Sequence, residues 1–303
     1  MSDFIFGPVL SRRFGLSLGI DLSPDKKQCN FDCLYCELKG AKTVAFMQNP
    51  PSVQEVVKSL KHSFIKFPDI DVITITANGE PALYPSLKEL ISAINFLKGG
   101  KKLLILSNAA CIHDKNVQNA LLDIDIVKLS LDTVIPSTFK KLNRPHNSVS
   151  LEQILKGMKE FGEVFKNELA LEILVVENFN DTRDEFIALN HVINEIKPSR
   201  VDISTIDRPG AYRVKAVSSE TLEILAREIK NIPVIVAKRE GFTKKNLNLD
   251  EEEIIQLLKM RPQSEEDIDN ILDENSKKLL LNLLKRDKIK LINVVGVNFY
   301  KLN

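Results

Sequence analysis

With 303 residues, 42 Lys and Arg against 41 Asp and Glu, and a net charge of +1, the chain lacks the overall basic footprint of a dedicated nucleic-acid binder. No apolar run approaches the roughly 20 residues of a membrane-spanning helix, and four cysteines do not make a secreted disulfide scaffold. The N-terminal MSDFIFGPVLSRRFG is neither a signal-peptide h-region nor an Arg-rich presequence, so the cytoplasm is the expected compartment and reduced thiols the expected state.

The first segment, FGPVLSRRFGLSLGID, carries Arg12 and Arg13, a pair suited to holding a substrate phosphate or carboxylate bidentately. It runs into Leu16 to Asp21, the first of seven short apolar, β-branched runs. The others are Val72 to Thr76, Leu103 to Leu106, Ile126 to Leu131, Leu171 to Val176, Val201 to Ser204 and Val234 to Ala237. Amphipathic stretches lie between them, the signature of parallel β/α units, and near-continuous apolar strands suit a sheet covered on both faces. Helix starts are written as capping boxes at Ser52 with Glu55, Ser86 with Glu89, Ser150 with Gln153, and Thr182 with Glu185. Six or so such units predict an α/β fold curled into a partial (β/α)6 barrel of the TIM type, with its chemistry at the carboxyl ends of the strands.

Directly after the first run stands QCNFDCLYCE, which spaces Cys29, Cys33 and Cys36 as CxxxCxxC. Three thiolates fill three of the four corners of a cubane iron-sulfur cluster, whereas electron-transfer clusters are closed by four. The open iron predicts a small-molecule ligand. Structural zinc wants four closed ligands, and only Cys111 remains, with His62, His113, His146 and His191 scattered and no second CxxC. Cys111 itself reads as a small half-buried hydrophobe rather than a hydrogen-atom donor or a fourth ligand.

Later strand ends add polar residues. ITITANGEPALYP brings Asn78, Gly79 and Glu80, where the glycine permits close backbone approach and the carboxylate suits an ammonium. Ser107 and Asn108 end the run LILSNAAC, and Ser130 and Asp132 stand in VKLSLDT. Arg144 and His146 in KKLNRPH and Arg208 in STIDRPGAY are further candidates for holding substrate.

After the polar GFTKKNLN a second unit is expected, dividing the chain into a barrel (1–240), a linker (241–249) and a C-terminal domain (250–303). Glu253 to Met260, Ser264 to Leu272 and Ser276 to Lys285 predict helices, and Ile289 to Leu291 with Val297 to Tyr300 a hairpin around Val295-Gly296, together a winged-helix-like domain. Acidic residues outnumber basic ones there, and phosphate affinity rests on Lys and Arg. Protein contact or lid-like packing therefore fits this unit better than nucleic-acid binding.

The cysteine loop resembles that of the radical S-adenosylmethionine (SAM) superfamily, in which Tyr35 would approach the adenine and Asn78-Gly79-Glu80 would meet the SAM amino group. Ser107, Asn108, Ser130 and Asp132 resemble that family's contacts to ribose and carboxylate. The resemblance implies a 4Fe-4S cluster on Cys29, Cys33 and Cys36, SAM as the second cofactor, and a flavodoxin or ferredoxin as reductant. It implies reductive cleavage of SAM to a 5'-deoxyadenosyl radical that takes hydrogen from a small-molecule or RNA substrate. Across nearly the whole chain, GPVLSRRFGLSLGIDL, CNFDCLYC, NGEP, SLDT, LNRPH and DRPGA are similar to the branch of the tRNA wyosine-base (imidazoG37) synthases. Those enzymes carry a second cluster on upstream cysteines, and no cysteine precedes Cys29 here, so wyosine synthesis itself is not implied. A tRNA-base-modifying radical SAM enzyme of the wyosine type, and a non-catalytic iron-sulfur redox sensor that binds nucleic acid through its winged helix, are the alternatives. Other catalytic signatures, GxGxxG, GxxxxGK[ST] and HExxH, are absent.

Overall fold

A computed structural model of the chain describes residues 4–11, 14–237, 244–294 and 296–303. Seven parallel strands follow one another across the sheet in sequence order: β2 (Gly15–Asp21), β3 (Val72–Thr76), β4 (Lys102–Ser107), β5 (Ile126–Ser130), β6 (Glu168–Val175), β7 (Arg200–Thr205) and β8 (Val234–Val236). Helices make the crossovers: α1 (Val53–Lys66), α2 (Leu87–Leu97), α3 (Lys115–Leu121), α4 (Pro136–Leu142) with α5 (Leu151–Val164), α6 (Arg183–Ile196) and α7 (Ser219–Ala226). Right-handed crossovers that always step in the same direction put every helix on one face of the sheet. The sheet therefore curls with its other face inward, the partial barrel expected, and all seven predicted runs are strands.

The N-terminal segment adds an unpredicted strand, β1 (Ile5–Ser11), antiparallel to β2 at the sheet edge. Gly7 and Pro8 hide it in the sequence because they break an apolar run as they break a ladder. The register slips between Phe6 and Val9, where they sit.

The capping boxes fared unequally. Ser52 and Glu55 form the full reciprocal pair. Ser150 and Thr182 accept from the third helical amide, but Glu185 turns away to accept from Thr133 Oγ1 at 2.6 Å and Thr138 Oγ1 at 2.5 Å. That choice ties α6 to the loop after β5. Ser86 makes no cap bond, since its ψ of 38° leaves the extended geometry a capping side chain needs.

Beyond residue 244 come α8 (Glu251–Met260), β9 (Gln263–Ser264), α9 (Glu265–Ile271), α10 (Glu274–Lys285), β10 (Ile289–Val294) and β11 (Val297–Leu302). The three helices and the hairpin lie where the sequence places them, and the short β9 completes an antiparallel sheet ordered β10-β11-β9. Val295 of the expected turn, and residues 241–243 of the expected linker, lie outside the described residues. Among the described residues no helix is long and apolar enough to cross a membrane.

This unit is seated on the barrel. Helix α8 packs against β1, Lys66 of α1 reaches Glu253 at 2.6 Å, and Lys259 donates to the Pro24 carbonyl at 2.7 Å. Arg208, buried after β7, donates from Nη1 to the Pro262 carbonyl at 2.5 Å and pairs through Nη2 with Asp267 at 2.8 Å. Burial pushes the Asp267 carboxyl upward, but Arg208 and the Ser264 amide prevail and hold it below the usual carboxylate range. A carboxylate whose folded pKa is depressed adds stability above its unfolded pKa and loses it as pH falls through the folded one. Asp267→Asn is therefore expected to cost about 2–3 kcal/mol at pH 7. Thermal melts should show this gap from wild type shrinking as the pH drops below about 4.

Candidate functional site

Strands β2 and β3 end side by side, and the loop leaving β2 is fastened across the carboxyl edge of the sheet. Gln28 bridges to Gly79: its amide donates to the Asn78 carbonyl at 2.8 Å and its carbonyl accepts from the Glu80 amide at 2.9 Å. Gly79 has φ +136°, and a Cβ there would lie 1.8 Å from the Gln28 carbonyl oxygen. Only glycine lets these two backbones meet. Further along, His146 N donates to Asn30 O at 2.7 Å, Leu34 N to Leu142 O at 2.9 Å, and Ala211 N to Cys36 O at 2.9 Å. The segment bearing Cys29, Cys33 and Cys36 is thus anchored to the ends of β3, the α4 region and the loop after β7.

Each sulfur has a donor. Asn108 Nδ2 lies 3.5 Å from Cys29 Sγ, Asn143 Nδ2 lies 3.7 Å from Cys33 Sγ, and Lys27 Nζ lies 3.2 Å from Cys36 Sγ. Burial pushes the Cys29 thiol up to about 12, helped by Glu80 and Cys36. Burial raises Cys33 strongly too, with Cys29 and Asp132 opposing its ionisation. The sulfurs are close enough to repel one another as thiolates. Yet among the described residues no three Cys, His, Asp or Glu side chains lie close enough to share a single ion. A multi-iron cluster on these three sulfurs would offset, by its positive charge, the cost of ionising neighbouring thiols.

Beside the sulfurs, Asp132 at the end of β5 is buried and accepts from the Tyr35 hydroxyl, from Asn143 Nδ2 at 2.7 Å and from Leu174 N at 3.0 Å. Burial raises it to about 6 against those three donors. Tyr35, Asn108, Ser130 and Asp132 line one small cavity, with Phe31, Phe139, Leu151 and Ile154 among its apolar walls. Phe31 and Phe139 meet edge to face, ring centroids 5.4 Å apart.

The other expected site residues that are described do not line that cavity. Glu80 is 1% exposed and accepts from Ser107 Oγ at 2.7 Å, Ala82 N at 2.9 Å and Asn108 N at 2.8 Å, so it locks β3 to the end of β4. Ser107 is spent on that carboxylate and on the Ala109 amide. Exposed Arg144 stacks on the Tyr212 ring at 4.7 Å and stands 3.6 Å from Asp32. His146 Nδ1 is 2.8 Å from Ser148 Oγ, and neither residue lines the cavity. Arg208 lies in the seam with the C-terminal unit, and Arg12 and Arg13 lie outside the described residues. Cys111 is half-buried, accepts from Asn30 Nδ2 at 3.6 Å, and is pushed up to about 12 by burial and Glu80. Sequence reasoning missed Lys27 and Asn143. Lys27 stands two residues before Cys29, and Asn143 in the same KKLNRPH segment that supplied Arg144.

Residues 26–189 match the profile of the Radical SAM superfamily. Over 98% of its length the chain is 39% identical to a UPF0026 protein of Helicobacter pylori (strain J99), covering 96% of that relative. It is 29% identical to a UPF0026 protein of Methanocaldococcus jannaschii, over 98% of this chain and 95% of that one. Among solved structures, Streptococcus suis SuiB bound to S-adenosylmethionine aligns with a TM-score of 0.55 at 20% identity, over 70% of this chain and 49% of that one. That likeness speaks for the fold alone.

Proposed function

Because the chain belongs to the radical SAM superfamily, whose cofactors are a 4Fe-4S cluster and SAM, we propose that Cys29, Cys33 and Cys36 hold the cluster and that the adjoining cavity takes SAM. When bound, this pair supplies a one-electron cleavage of the sulfonium C5'-S bond, giving a 5'-deoxyadenosyl radical that removes hydrogen from a substrate.

The residues' parts follow from their contacts. Asn108, Asn143 and Lys27 donate to the three sulfurs, setting their orientation and favouring their charged form. Asp132 fixes the Tyr35 ring through its hydroxyl and holds Asn143 toward Cys33. Phe31, Phe139, Leu151 and Ile154 keep water from the cavity wall, while Tyr35, Asn108, Ser130 and Asp132 supply its polar contacts. The Gly79 backbone, free of a side chain, holds the cysteine loop against β3. In this reading residues 250–303 form a separate winged-helix-like domain that closes the barrel against stray hydrogen donors, with Arg208 as its fastening.

The observation that carries the proposal is the placing of Cys29, Cys33 and Cys36, each with a polar donor at its sulfur, beside one cavity lined by Tyr35, Asn108, Ser130 and Asp132. Anaerobic reconstitution with iron and sulfide, then SAM and dithionite, should yield 5'-deoxyadenosine. A protein with full iron and no such product would refute it.

A further inference from the structure

Beside the cysteine loop lies an open groove whose rim carries Lys140, Lys141, Arg144, Arg213 and Lys215, all exposed, against the lone acid Glu177. In a chain of net charge +1 this is a concentrated positive surface. Its floor is apolar: Leu34, from between Cys33 and Tyr35, together with Phe179 and Val214. An apolar centre with a charged rim is the anatomy of a protein interface.

The groove also connects to the sulfurs. Arg144 lies 3.6 Å from Asp32, Asp32 lies 3.9 Å from Lys27, and Lys27 donates to Cys36 Sγ at 3.2 Å. A short run of contacts thus joins the rim to one thiol, while Leu34 joins the floor to another.

We propose that this groove is the docking surface for an acidic, low-potential electron-transfer protein that reduces the group held by Cys29, Cys33 and Cys36. The inference rests on the function proposed above. One electron crosses: a flavin hydroquinone anion on the partner becomes the neutral semiquinone, the group on the three thiolates gains the electron, and no atom moves. Small interfaces governed by complementary charge are typical of such encounters. RNA fits less well. Phe179 is packed into the cluster formed by Leu34, Leu142 and Val176, and the Tyr212 face is covered by Arg144, so the groove has no free aromatic platform for a base.

The side chains of Lys140, Lys141 and Arg213 make no ion pair or hydrogen bond with another described residue, so their reversal breaks no such contact within the fold. Full-length wild type and the Lys140→Glu/Lys141→Glu/Arg213→Glu variant would be titrated by calorimetry with a purified acidic flavodoxin at low and high salt. The variant should bind about tenfold or more weakly at low salt, with most of the salt dependence gone. Its dithionite-driven formation of 5'-deoxyadenosine should stay within about twofold of wild type, as expected of exposed side chains that do not line the cavity. Equal flavodoxin affinity in the two proteins, or none in wild type, overturns the proposal. So does a variant that loses a gel shift with bulk tRNA while keeping its flavodoxin affinity. Failure of wild type to cleave SAM with dithionite would instead refute the proposed function, while the titration still reads the surface.

Discussion

Cys33→Ala protein, reconstituted without oxygen, is expected to cleave SAM on the order of a thousandfold more slowly than wild type. The reason is a shortage of substitutes. The chain has four cysteines, and the fourth, Cys111, stands outside the loop that carries the other three and is held by the Asn30 amide. Cys111→Ala should accordingly retain near wild-type cleavage. The check is 5'-deoxyadenosine per iron by chromatography, and a Cys33→Ala variant that keeps its full rate would remove the thiol trio from the mechanism.

Gly79→Ala should fail for a different reason. The added Cβ would meet the Gln28 backbone at 1.8 Å from its oxygen, 2.3 Å from its carbonyl carbon and 2.9 Å from its nitrogen. No rotamer relieves a clash with backbone. A φ of +136° adds strain of its own for any residue with a Cβ. The bridge must open, which releases the Gln28 amide from Asn78 and the Glu80 amide from Gln28, and with them the start of the cysteine loop. A loss of about 3–5 kcal/mol follows, or roughly 10 °C in melting temperature for a chain of this size. Iron retained after reconstitution should fall in parallel. A variant matching wild type in both would show that this bridge does not hold the loop.

The barrel was legible because its strands are buried runs bounded by capped helices, and burial and caps are local signals. Strand β1 was not, since Gly7 and Pro8 mimic a turn and only an edge position makes them tolerable. Glu185 illustrates the limit of local rules: the capping sequence is present, but Thr133 and Thr138, about 50 residues upstream, offer its carboxylate better partners.

Charge at a strand end suggested substrate binding for Arg208, and the reason it serves the C-terminal seam is a carbonyl and a carboxylate that arrive more than 50 residues later. Asn143 was overlooked for the complementary reason. Nothing in its neighbourhood announces that it will sit between Cys33, 110 residues earlier, and Asp132. The cysteines themselves stand out because their spacing is a local pattern of the sequence.

The account turns on an iron left without a protein ligand and available to SAM. The most direct measurement is the electron paramagnetic resonance spectrum of the reduced, reconstituted wild type before and after SAM is added. The account predicts a cluster signal whose g-values move on addition, with 5'-deoxyadenosine forming in the same tube. A spectrum that SAM leaves unchanged would mean that every iron is already closed, and would contradict it.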